Sequence, residues 1–206
     1  PHTPRAVLLS TDLSCRCDRA LDRAVLSAKG WQARLVALTV VEPTAASRLD
    51  MGHAAWHQAR QAAQHIAERR LHADMARQDM PVAVRVEQGQ VTDKLLEVAA
   101  QETVGLVVTG VARNEALSRA VLGSTVDALV RRSLVPVLVV RERAWEPYTR
   151  VVVATDFSPD ARHALVKAAH WYPQAELVLF HAHGAPYSLR AGMDPIQAQL
   201  AGFQQA

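Results

Sequence analysis

Cysteine is scarce in this chain: only Cys15 and Cys17 occur in 206 residues, separated by one position. That spacing is poor for a structural disulfide, so a disulfide-stapled fold is excluded and a reducing cytoplasm is the expected setting. An excess of one charge is also missing. Lys and Arg number 23 against 20 Asp and Glu, so the pI near 9.2 comes from a small imbalance. Nucleic-acid binding needs a concentrated basic surface, and none is predicted. Long hydrophobic runs are absent as well. The start, Pro1 to Ser10, has one Arg ahead of the short run Ala6 to Leu9. This is far below a secretory core or a membrane span, so neither a targeting segment nor membrane association is expected. Catalytic signatures are missing too: there is no G-x-S-x-G, G-x4-G-K-[ST], G-x-G-x-x-G or H-E-x-x-H sequence.

What is present is apolar content and a regular pattern. Half of the residues are hydrophobic and 21% are charged, enough for a substantial core over about one and a half domains. Short Val- and Leu-rich runs fall at Ala6–Ser10, Leu35–Val41, Val82–Val86, Leu106–Thr109 and Val137–Val140. Segments of helical period separate them, which is how a parallel sheet covered by helices reads. Ala20, Leu21, Ala24, Val25 and Ala28 mark a first helix, with Ser14 or Asp18 placed to cap its start and Gly30 its end. A long helical stretch runs from Ala54 to Asp79, with Pro81 as its terminator. Thr92 is placed to cap a helix carrying Leu95, Leu96, Val98 and Ala99, and Ser124 or Thr125 to open another with Val126, Leu129 and Val130. The prediction is an α/β domain with an open five-stranded parallel sheet and helices on both faces.

A repeat extends this architecture. Val7-Leu8-Leu9-Ser10-Thr11-Asp12-Leu13-Ser14 is answered by Val151-Val152-Val153-Ala154-Thr155-Asp156-Phe157-Ser158. Ala20-Leu21 matches Ala164-Leu165, and Leu35-Val36 matches Leu177-Val178 after a two-residue deletion. The predicted domains are therefore residues 1–143, a linker at 144–149, and the first part of a second copy at 150–206. These residues hold no second glycine loop to match Asp156, so one complete site is expected and not two.

Chemistry concentrates in two places. The run Val107-Val108-Thr109-Gly110 ends a strand, and Gly123-Ser124-Thr125 opens a helix, whose amino terminus presents N–H groups and partial positive charge to an anion. Asp12 closes the first strand at the same sheet edge, where ligands of open parallel sheets bind. Taken singly, Asp12 reads as a turn cap, and Gly110 and Gly123 as turn residues. Together they read as a phosphate-bearing crevice. His53 and His57, four apart on the long helix, read as solvated positions, since no acidic third ligand accompanies them. His181 and His183 alternate on a strand, so at most one faces a crevice. Cys15 and Cys17 lie near a helix start, where a lowered thiol pKa would permit oxidant sensing. The plainer reading is a pair of ordinary reduced cysteines.

The strand-end Thr-Asp-Leu-Ser, the spacing from Gly110 to Gly123-Ser124, and the ending Val135-Pro136-Val137-Leu138-Val139-Val140 resemble the universal stress protein family. The resemblance covers Arg5–Arg143 fully and Arg150 to about Ala206 as a partial second copy. It implies an adenine nucleotide alpha-hydrolase-like, Rossmann-like fold. It also implies an ATP site built on G-x2-G-x9-G-[ST], with Mg2+ accompanying the nucleotide. Carried over, Asp12 would meet adenine or ribose, Val40 would pack on the base, and Gly110, Gly123, Ser124 and Thr125 would hold ribose and phosphates. Arg113 stands where the family has its second glycine. If a positive φ is needed there, Arg113 costs about 1 kcal/mol and crowds the phosphates, whereas its guanidinium suits pairing with phosphate oxygens. The resemblance further implies pairing through the last strand, as a homo-oligomer or a pseudo-dimer of tandem domains. The functional expectation is a stress-response sensor that binds an adenine nucleotide. The alternatives are a tandem scaffold without nucleotide, and weak ATP hydrolysis with Asp12 or Ser124 near the phosphates.

Overall fold

The structure is a computed structural model that describes residues 2–42, 53–111 and 123–182. The chain divides into two units, one of residues Pro4–Pro147 and one of Tyr148–Ala206 with Pro1–Thr3. In the first unit, the described residues form five parallel strands: β1 (Ala6–Ser10), β2 (Arg34–Val41), β3 (Val82–Gln88), β4 (Leu106–Gly110) and β5 (Val137–Val140). Their spatial order is β3-β2-β1-β4-β5. The chain leaves β1 toward one side for β2 and β3, then crosses back to lay β4 on the other side. The strand order thus reverses between β1 and β4, and the carboxyl ends of strands at such a reversal are where ligands of open parallel sheets bind.

The three central strands are apolar on both faces because both are covered. Val7, Leu8, Leu9, Leu35, Val36, Ala37, Leu38, Val107 and Val108 are all buried. On one face Leu8, Val36, Leu38 and Val107 form a continuous core with Leu95, Val98 and Ala99 from α3 (Val91–Gln101) and Leu129 from α4 (Ser124–Arg132). Strand alternation turns Val7, Leu9 and Leu35 to the other face, where α1 (Asp18–Trp31) and α2 (His53–Met75) lie. Ala20, Ala24, Val25, Ser27 and Ala28 are the buried stripe of α1, and their small side chains let the helix sit close to the sheet. The strands fall within two residues of their predicted limits.

The helix ends depart further from expectation. Ser14 precedes a single 3-10 turn, Cys15–Cys17, without a side-chain cap, and Cys17 is the N-cap of α1. Gly30 does not stop α1: the helix continues to Trp31, and Gln32 takes the left-handed cap at φ 54 while its N–H bonds back to Lys29 O. The long helix ends at Met75, ahead of Pro81. Thr92 is not a cap, because α3 starts one residue earlier with Gln90 as N-cap. In each case packing against the sheet extends or shortens a helix that local propensity alone would have ended elsewhere.

In the second unit β6 (Arg150–Ala154) and β7 (Glu176–Phe180) pair in parallel, joined by α5 (Pro159–Trp171). Ser158 caps α5 by accepting the Ala161 N–H at 3.2 Å, with Pro159 in the first turn. Val152 and Phe180 remain 60% and 56% exposed, on a sheet face that no described helix covers. Among the described residues, no helix is long and apolar enough to cross a membrane.

Candidate functional site

Asp12 lies just beyond β1 in a tight turn that the Thr-Asp-Leu-Ser sequence builds for itself. Thr11 Oγ1 accepts the Leu13 N–H at 3.1 Å, and Asp12 Oδ1 accepts the Ser14 N–H at 3.0 Å. These two side-chain acceptors stand in for backbone partners and hold Leu13 at φ 60. The turn is tied to the sheet from two directions. Thr11 N–H donates to Leu38 O at 3.0 Å, and the buried Thr39 donates its hydroxyl to Thr11 O at 2.5 Å. The carboxylate is thus mounted on the central strand of a rigid sheet.

Strand register sets its neighbours. Ser10 pairs with Leu38 on one side and Thr109 on the other, so Val40 is level with Asp12 and Gly110 stands one residue past the last β1–β4 pair. Val40 packs, half-buried, against the core shared with α3 and α4. Gly123 is the N-cap of α4, with extended backbone at φ −58 and ψ 155, and supplies no side-chain cap. Ser124 is exposed while Thr125 is half-buried, and both lie in the first turn. The same turn carries Asp127, whose charge opposes an anion, but Arg131 pairs with it at 2.9 Å. Asp12, Val40 and Gly110 therefore share the carboxyl edge of the sheet, the edge from which α4 starts. Arg113 lies outside the described residues.

The second unit contains the same turn. Thr155 Oγ1 accepts the Phe157 N–H at 2.9 Å, Asp156 Oδ1 accepts the Ser158 N–H at 2.9 Å, and Phe157 sits at φ 65. Thr155 N–H donates to Phe180 O at 2.9 Å, as Thr11 does to Leu38. The bonds from Ser158 hold the Asp156 carboxyl below the ordinary range. His181 Nδ1 is 2.7 Å from Thr155 O, and its ring lies against Phe157 with centroids 4.6 Å apart. His183 falls outside the described residues.

Sequence reasoning missed the part played by Cys17. Its thiol donates to Asp12 Oδ1 at 3.1 Å, and the Asp12 N–H points back at its sulfur at 3.5 Å. Burial above all pushes the thiol pKa up, the Asp12 carboxylate adds to the rise, and the Asp12 backbone N–H works against it. This agrees with the plainer reading of an ordinary reduced cysteine and counts against the alternative of an activated thiolate, because the partly buried sulfur faces a carboxylate. Below the turn, between α1 and α2, a cavity of about 240 Å³ is lined by residues including Thr11, Ser14, Cys17, Leu71 and Met75. His57, His65 and His72 are exposed on α2, and no group of three or more metal-ligating side chains occurs among the described residues.

An open parallel sheet whose order reverses beside an acidic turn and a glycine-led helix defines a doubly wound α/β domain. Its family follows from the sequence: the profile of the universal stress protein family matches residues 4–141, and the chain belongs to that family. A universal stress protein from Archaeoglobus fulgidus DSM 4304 superposes over 99% of this chain and 74% of its own, at a TM-score of 0.65 and 19% identity. Universal stress protein UspA from Lactobacillus plantarum matches 68% of this chain and 99% of its own, with a TM-score of 0.52 and 21% identity. A universal stress protein solved in complex with cAMP covers 67% of this chain and 97% of its own, at 0.48 and 26%. No curated protein matches this sequence.

Proposed function

We propose that the first unit binds an adenine nucleotide, ATP with Mg2+ in the first instance, and that the protein acts as a nucleotide-dependent regulator in the stress response of a reducing cytoplasm. The observation that carries this reading is the amino terminus of α4, which starts at Gly123 with no side-chain cap at the sheet edge that also holds Asp12. Amide groups left uncapped by a side chain suit a phosphate, and an acidic side chain at the neighbouring strand end suits ribose hydroxyls or an adenine amino group. Gly110, Gly123, Ser124 and Thr125 would hold ribose and phosphates, Asp12 the nucleoside, and Val40 the base, with Arg113 pairing a phosphate oxygen. The bound Mg2+ would neutralise phosphate charge. No residue is assigned a catalytic role, and the site serves occupancy.

The second unit is read as the opening of a second copy of this domain, since the Thr-Asp-x-Ser turn recurs with the same side-chain and backbone hydrogen bonds. Pairing of protomers or of tandem domains is assigned to β5, which the described residues leave as an edge strand. A second reading, a tandem scaffold without nucleotide, is favoured by Arg113 at a glycine position of the family motif.

Calorimetry with MgATP separates the two. Binding by the wild-type chain, lost in Gly123→Val, supports the nucleotide reading. The absence of binding at about 1 mM nucleotide, weaker than about −4 kcal/mol, eliminates it in favour of the scaffold.

A further inference from the structure

The two Thr-Asp-x-Ser turns differ in one respect. In the second unit Ser158 Oγ accepts the Ala161 N–H and α5 starts at once. In the first unit Ser14 makes no such cap: its Oγ is buried without a hydrogen-bond partner among the described residues, and the 3-10 turn Cys15–Cys17 delays α1. That extra turn brings Cys17, five residues after Asp12, back over the carboxylate it follows. The residue five after Asp156 is Ala161, which has no side-chain donor. Asp12 Oδ1 therefore receives both the Ser14 N–H at 3.0 Å and the Cys17 thiol at 3.1 Å.

We propose that Cys17 is a positioning residue: its thiol, bonded to Asp12 Oδ1, fixes the carboxylate at the end of β1 in the orientation that meets an adenine nucleotide. The inference deepens the nucleotide reading and rests on it. Three features support it. The contact is reciprocal, with sulfur donating to the carboxylate and accepting the Asp12 amide. Burial keeps the thiol protonated, which is the form that donates. The turn gives up the serine cap that its counterpart keeps, so the thiol grip replaces a local stabilising bond instead of duplicating one.

The test has two arms. In the first, no nucleotide is present. Cys15→Ser leaves Cys17 as the sole thiol, and its alkylation by iodoacetamide is followed against pH with Asp12 and with Asp12→Asn. Removing the carboxylate removes the charge that favours the protonated thiol, so alkylation near neutral pH should quicken several-fold and its midpoint should fall. An unchanged profile overturns the Asp12–Cys17 link. In the second arm, ATP affinity is measured for Cys17→Ala and Cys17→Ser, with melting curves recorded for both. Cys17→Ala should bind several-fold more weakly. Cys17→Ser, which keeps an O–H donor, should recover most of the affinity. A Cys17→Ala protein that binds like wild type, or a Cys17→Ser protein as weak as Cys17→Ala, overturns the positioning role. A wild-type chain that binds no ATP overturns the nucleotide reading and this role with it, while the alkylation arm still decides whether the thiol holds the carboxylate.

Discussion

Thr39 tests whether the Asp12 turn depends on the sheet beneath it. The residue is 4% exposed, and its hydroxyl donates to Thr11 O across the β1–β2 junction at 2.5 Å. Thr39→Val keeps the volume and the β-branch but removes the donor, leaving the half-buried Thr11 carbonyl without it. The net value of a hydrogen bond is about 1 kcal/mol, and an orphaned buried acceptor costs about 1–3 kcal/mol. The gain from burying a methyl group offsets part of this, so the expected loss is about 1–2 kcal/mol. For a domain of this size that is a fall in Tm of about 3–6 °C. Thr39→Ser keeps the donor and should lose less. Urea denaturation followed by circular dichroism reads the loss as a lower midpoint at constant slope. A Thr39→Val protein as stable as wild type, or no more affected than Thr39→Ser, refutes the claim that this bond anchors the turn.

Two further outcomes follow from the first unit. A Cβ on Gly105 would stand 2.9 Å from Pro4 Cβ and 3.1 Å from Pro4 Cα, neither of which belongs to a flexible side-chain end. Gly105→Ala should therefore destabilise the unit by about 1–3 kcal/mol in the same denaturation assay, and an unchanged midpoint would show that the β1 and β4 starts yield freely. Glu102 bonds Arg34 at 2.6 Å and Arg85 at 2.9 Å, and chiefly the Arg34 hydrogen bond holds its carboxyl below the ordinary range. A carboxyl depressed in the folded state contributes stability that is complete above its unfolded pKa, about 4.3, and is lost as pH falls below that value. Glu102→Gln should flatten the acid limb of a stability-against-pH curve measured from about pH 5 to 3, and parallel limbs would contradict the pairing.

The strands, their parallel arrangement and the recurrence of the Thr-Asp-x-Ser segment were legible in the sequence. Runs such as Val7-Leu8-Leu9 and Leu35-Val36-Ala37-Leu38 are buried on both faces, and continuous apolar runs are the direct signature of that environment. Asp12 and Gly110 were legible as residues at strand ends because turn chemistry is local. Helix boundaries were less so. Gln32 takes a left-handed cap beside a glycine that does not, and Thr92 lies inside the helix it was expected to cap. Those choices depend on where each helix meets the sheet.

By itself the sequence determined the α/β alternation, the recurrence of the Thr-Asp-x-Ser turn and the residues available for a site, since hydrophobic period and turn-forming side chains act over a few residues. Tertiary structure alone decided the order β3-β2-β1-β4-β5, which puts the ends of β1 and β4 side by side although about a hundred residues separate Asp12 from Gly110. It also decided the state of Cys17. From the sequence Cys17 read as an ordinary reduced cysteine with an activated thiol as the alternative, and only the fold showed the sulfur partly buried with a carboxylate in front of it. A thiol pKa answers to the charge and solvent around the sulfur, and those are set by what the chain packs there.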